Sequence, residues 1–165
     1  MRRKGFSLIE VLVYTALIGI VGTLLNGILI SLLRIQNKQV AATEVNQQFN
    51  FILLNVQRFV RKSDSINMVN NTPGSTLTLQ MTDAAKNPTL IYKTGNTVYL
   101  KEGASSEVPL TTDDINVDSL EFTKISSATN YDLVQLTVSL SYNTQNPQRV
   151  FSKTIASAVA HPNPQ

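Results

Sequence analysis

An α+β fold, with one long N-terminal helix packed on an antiparallel β-sheet, is predicted by three features of this sequence. Residues Val11 to Leu33 form a run of 23 without a charged side chain. Between Val45 and Val60 the apolar residues recur at steps of three and four. Beyond Lys62 the apolar period falls to two, the spacing of strands that bury one face.

As a helix, the uncharged run would extend about 35 Å, enough to cross a hydrocarbon core of about 30 Å. Arg2, Arg3 and Lys4 precede it and Arg34 and Lys38 follow it. The cluster at the front favours an N-terminus in the cytoplasm and the remainder outside. Residues 28 to 36 read ILISLLRIQ, with no small-x-small site behind the apolar core, so cleavage on the outer side is not expected. Hydropathy alone therefore describes an uncleaved signal anchor. Gly19, Gly22 and Gly27 fit a membrane helix, where small residues permit close contact between helices.

Glu10 complicates that description. A carboxylate costs about 2.5 to 3.5 kcal/mol at the bilayer centre and less near a helix end, and such residues are usually paired. Either a positive partner meets Glu10, or it reaches the headgroups and stays hydrated.

After Arg34 the chain becomes polar, yet Val45, Phe49, Ile52, Leu53, Val56, Phe59 and Val60 mark one face of an amphipathic helix. No proline occurs before Pro73, and Arg61 and Lys62 suit a helix C-terminus through its dipole. One helix from about Phe6 to Lys62 follows, the first half spanning and the second half covering a sheet.

Strands follow the helix. Leu77, Leu79 and Met81 alternate with polar residues; Thr89 to Lys93 meets Thr97 to Lys101 across Thr94-Gly95-Asn96; and Leu120 and Phe122 mark a further strand. Val134, Leu136, Val138, Leu140 and Tyr142 give the clearest alternation, and Gln148 to Val159 a last strand. Each apolar strand face needs a cover, and the stripe from Val45 to Val60 is the helical face available. Pro162, Asn163 and Pro164 read as an exposed tail.

The junction at residues 5 to 10 carries a more specific resemblance. Basic residues, then Gly5, then Phe6-Ser7-Leu8-Ile9-Glu10 and an uninterrupted apolar helix resemble the N-terminal signal of type IV prepilins and type II secretion pseudopilins. The resemblance implies cleavage between Gly5 and Phe6 by a prepilin peptidase on the cytoplasmic side, and N-methylation of Phe6. It also implies that Glu10 neutralises the N-terminal amine of an adjoining subunit during filament assembly. The physics agrees, because a buried amine and a buried carboxylate are each tolerable only when paired. Glycine at position 5 would let an extended backbone pass close to the peptidase's catalytic groups.

On this reading residues 1–5 are a leader, 6–33 a transmembrane and filament-core helix, and 34–165 a pilin-like globular domain that includes the amphipathic half of the helix, about 34–62. The chain has 14 Lys plus Arg, 11 Asp plus Glu and a net charge of +3. Removing the leader's three basic residues leaves 11 against 11, so no basic stripe points to nucleic acid. The implied partners are other pilins or pseudopilins through the N-terminal helix, a prepilin peptidase, an assembly platform in the inner (cytoplasmic) membrane, and membrane lipid. The implied location is that membrane, single-pass, with a surface or periplasmic filament after assembly.

The stretch from Phe49 to Ile66, the hairpin, the Pro109-Leu110-Thr111-Thr112 loop and the long final strands resemble J-type pseudopilins and related minor pilins. Many major pilins carry proline near the position of Gly27, and this chain does not. Some tip pseudopilins lack the glutamate, whereas this chain has Glu10. The residues fit a secretion pseudopilus, a type IV pilus and a competence pilus alike.

Chemistry is sparse. His161 is the single histidine, cysteine is absent, and no phosphate-cradling glycine loop occurs, so neither an enzyme nor a cofactor is expected. Asp113, Asp114, Asn116 and Asp118 offer oxygen ligands of the kind calcium takes, as it does in some pseudopilins. Their spacing lacks the EF-hand glycine and terminal glutamate, and turn chemistry accounts for aspartates in a loop. A different class of protein, a membrane-anchored binding domain that never polymerises, would leave the same apolar run with Glu10 at the interface. An anchored hydrolase would require a polar constellation that the sequence does not show.

Overall fold

The computed structural model describes residues 7–126 and 131–162. Helix α1 (Leu8–Lys62) is continuous over 55 residues, about 82 Å at 1.5 Å per residue. Its two halves have opposite surroundings. Apart from Gly22, residues 7 to 36 are exposed, whereas Ala41, Val45, Phe49, Ile52, Val56, Phe59 and Val60 are buried. Leu53, on the edge of that stripe, is half-buried. The helix ends as Ser63 turns to φ −75°, ψ 152°, its N–H still donating to the Phe59 carbonyl at 3.0 Å.

Among the described residues nine strands follow: β1 (Ser65–Ile66), β2 (Pro73–Gly74), β3 (Thr76–Gln80), β4 (Thr89–Thr94), β5 (Thr97–Glu102), β6 (Val108–Pro109), β7 (Ile115–Ser126), β8 (Tyr131–Tyr142) and β9 (Ser152–Pro162). All the strand pairings are antiparallel. The α+β class, a long helix on antiparallel strands, is therefore the observed one, with the strands divided between two sheets. One has the order β1-β3-β4-β5-β6 and the other β2-β7-β8-β9.

The division follows from how much one helix can cover. The apolar stripe of α1 rests mainly on β8 and β9, with a smaller contact to β7. The inward residues of β3, β4 and β5 then need another neighbour. Those strands approach β7, so that Leu77, Leu79, Ile91 and Val98 join Phe122, Leu136, Ile52 and Val56 in one core. Each such fully buried aliphatic or aromatic side chain contributes about 1.5–3 kcal/mol relative to exposure.

The β4–β5 hairpin pairs Thr94 with Thr97, leaving Gly95 and Asn96 as a two-residue loop. Gly95 has φ +58°, a value that favours glycine at the first central position of such a turn. In β7 the buried positions change parity, Ile115 and Val117 and then Leu120 and Phe122. A register shift between Val117 and Ser119 absorbs the extra residue as a β-bulge, placing Asp118 at the irregularity.

The last strand begins later than its periodicity suggests. Asn146 accepts from the Gln148 N–H at 3.0 Å and Pro147 opens a 3-10 turn through Arg149, so β9 starts at Ser152. Pro162 pairs opposite Tyr131 as the end of β9 rather than opening a loose tail; Asn163 and Pro164 lie outside the described residues.

Candidate functional site

Of the processing and assembly residues read from the sequence, Gly5 and Phe6 lie outside the described residues, and Glu10 is described. Ser7 is the N-cap of α1, with φ −76° and ψ 146°. Glu10 stands three residues on, and its Oε2 accepts a hydrogen bond from the Ser7 backbone N–H at 3.1 Å. This is the returning arm of a capping box, in which a glutamate satisfies a donor that the helix itself leaves unpaired. The negative charge also lies at the positive end of the helix dipole. An ionised carboxylate can accept several hydrogen bonds, so this contact leaves capacity for an ammonium group.

Past Glu10, the exposed half of α1 is apolar enough to cross a membrane, with mean hydropathy 2.3 over its best 18-residue window and none of that window buried. Four of its polar side chains bond to backbone carbonyls of the same helix. Thr15 donates to the Val11 carbonyl at 2.8 Å, Thr23 to Ile20 at 2.8 Å, Asn26 to Gly22 at 3.1 Å and Ser31 to Gly27 at 3.0 Å. In lipid these internal bonds remove the main cost of a polar group.

A second polar cluster joins the far end of α1 to the sheet. Lys124 on β7, Asp132 on β8 and His161 on β9 occupy inward positions below the end of the apolar rows, with Asp132 directly opposite His161. The Lys124 Nζ lies 3.0 Å from Asp132 Oδ2 and donates to the Ile66 carbonyl at 3.1 Å. His161 is 1% exposed, and its Nε2 lies 2.7 Å from the Ser63 carbonyl oxygen. Burial raises the Asp132 pKa, but hydrogen bonds from Lys124 and Ser126 and the charges of Lys124 and His161 outweigh it, leaving the carboxyl below its ordinary 3.8. The buried His161 had no motif signal in the sequence; its position two residues beyond Val159, on the same strand face, is the one periodic signal that could have suggested it.

The acidic segment serves local geometry. Asn143 Nδ2 donates to the Asp113 carbonyl at 2.9 Å, the Asn143 N–H donates to the Asp114 carbonyl at 2.8 Å, and Asp118 Oδ1 accepts from the Ser141 hydroxyl at 3.0 Å. Asn116 bonds Asn96 and Asn143 through side chains at 3.2 and 3.4 Å. Among the described residues, no group of three or more His, Cys, Asp or Glu side chains is placed to hold a metal ion. On the other sheet, a hydrogen bond with Glu107 is the main cause that pushes the Tyr92 hydroxyl up to about 12.

A long half-exposed helix whose far half packs on antiparallel sheets is a pilin-like architecture. Comparison with protein families gives the second step: residues 1–26 match the family described as the prokaryotic N-terminal methylation motif. That match supports the type IV pilin and pseudopilin family and a prepilin-type processing substrate. Neither curated proteins nor solved structures give a significant match.

Proposed function

We propose that this chain is a minor pilin or pseudopilin, a structural subunit of a type IV pilus-like or type II secretion filament. A prepilin peptidase cleaves between Gly5 and Phe6, Phe6 is N-methylated, and an assembly platform in the inner membrane inserts the mature chain among other pilins or pseudopilins. Before assembly the chain is held as a single-pass protein with its N-terminus cytoplasmic and its sheets outside. The role is structural rather than catalytic.

The observation that carries this reading is the methylation motif running directly into a helix head capped by Glu10, followed by an apolar surface that the folded chain leaves uncovered. The J-like subtype rests on the sequence resemblance and on the long β7–β9 strands that end the chain. Mass spectrometry tests the processing. Co-expression with a prepilin peptidase should yield a chain beginning at methylated Phe6, and an intact Met1 under those conditions would overturn the reading.

One observation favours a second reading, a single-pass anchored domain that does not polymerise. Glu10 already has a use within its own chain, through Ser7. In that case its charge would not be required by a neighbour.

A further inference from the structure

The loop between β8 and β9 is held low on α1, close to where the apolar run ends. Arg149 Nε donates to Asn37 Oδ1 at 3.2 Å, and the 3-10 turn Pro147–Arg149 packs against the helix. Asn37 lies four residues past Leu33, about 6 Å along the axis. The polar headgroup layer extends about 5–8 Å beyond the hydrocarbon on each side. If the run from Val11 to Leu33 fills the hydrocarbon, Arg149 is therefore at the depth of the lipid phosphates.

The chemistry of the surroundings fits that depth. Arg34, Asn37 and Lys38 are spaced i, i+3, i+4 and share one face of α1, so Arg149 joins two further cations. Residues 143 to 151 contain Arg149 and no carboxylate. Val150, next to it, is 61% exposed. Asp113 and Asp114, both exposed, stand at the same end of the sheet, where their backbone carbonyls accept from Asn143 at the base of the loop, and Glu44 is six residues past Lys38 on α1. From that base β9 climbs beside α1, with Lys153 bonding Asn46 and His161 meeting Ser63.

We infer that the β8–β9 loop docks on the bilayer, where Arg149, Arg34 and Lys38 bind the phosphates of anionic phospholipid headgroups and Val150 dips between them. This rests on the membrane-inserted state proposed above. It adds a second attachment, through the globular part, that fixes the tilt and rotation of the sheets before the subunit leaves the membrane. Extraction into a filament must break it.

The chain contains no tryptophan, so a single introduced indole reports on one place. Full-length V150W protein is reconstituted in vesicles of phosphatidylcholine with or without phosphatidylglycerol, each carrying a shallow lipid-borne quencher, and L25W protein with a deep one serves as the control for insertion. The V150W indole should be quenched in the phosphatidylglycerol vesicles, more weakly in phosphatidylcholine alone, and less as salt rises. Adding Arg149→Gln should reduce the ratio of docked to undocked loop about fivefold, the factor equivalent to about 1 kcal/mol per basic residue at an anionic surface. Arg149→Lys should retain most of the docking. A quenched L25W indole with an unquenched V150W indole would overturn the docking and leave insertion intact. Equal V150W quenching with and without phosphatidylglycerol would overturn recognition of anionic headgroups. An unquenched L25W indole would remove the membrane reading itself.

Discussion

The imidazole of His161 closes the C-terminal end of α1 by donating from Nε2 to the carbonyl oxygen of Ser63 at 2.7 Å. A carbonyl can only accept, so Nε2 carries the proton, and the ring's Nδ1 is buried with no hydrogen-bond partner. His161 thereby fixes the exit of a helix whose C-cap, Ser63, lies 98 residues earlier in the chain. Lys124 supports the same corner by holding the Ile66 carbonyl and the Asp132 carboxylate at once.

Replacing His161 by alanine leaves the Ser63 carbonyl without its donor and opens a cavity between β9 and the helix end. The expected loss is about 2–4 kcal/mol, combining an unsatisfied buried acceptor with lost packing. Denaturant unfolding of the full chain in detergent, followed through the β-sheet signal, measures it. A change within error of zero would show that water replaces the imidazole without cost.

Asp132 makes stability depend on pH with a definite sign. Its folded pKa lies below the ordinary 3.8, so its contribution is present above about 3.8 and is lost as pH falls through the folded value. Wild-type protein should weaken on acidification below that point. Asp132→Asn should be less stable at neutral pH, by about 1–3 kcal/mol, and show a shallower decline in the acid range. Melting curves from pH 2 to pH 7 check both, and parallel curves for the two proteins would refute the assignment.

At Glu10, glutamine and leucine distinguish capping from charge pairing. Glutamine can also return a hydrogen bond to the N-cap N–H, whereas only the carboxylate can neutralise an amine. If assembly requires pairing with the Phe6 amine of a neighbour, Glu10→Gln and Glu10→Leu should both reduce incorporation into filaments while leaving insertion and cleavage intact. Incorporation that survives in the glutamine variant and fails in the leucine variant would assign Glu10 to its own helix. Quantifying the subunit in sheared filaments reads this out.

Cleavage should tolerate little at position 5. Gly5→Ala is expected to be processed partly and Gly5→Val not at all, because a branched side chain obstructs close approach of the extended backbone to the peptidase. The shift in mass on co-expression with the peptidase is the measurement, and normal processing of the valine variant would contradict the motif.

Much of this was visible along the chain because it rests on local periodicity. The helix from Leu8 to Lys62, its uncovered apolar half, the buried stripe from Val45 to Val60 and the strand around Leu136 and Val138 each follow from residues within a few turns or pleats of one another. The methylation motif is contiguous, and so could be read directly.

The sequence by itself thus determined the long helix, the main strands, the membrane-competent run and the methylation motif. Tertiary structure alone decided the split into two sheets, the bulge at Asp118, the end-cap His161 provides for Ser63, and the place of Arg149 beside Asn37. These depend on contacts between residues far apart in the chain, where the outcome is set by how much surface one helix can cover and which buried polar groups must find a partner.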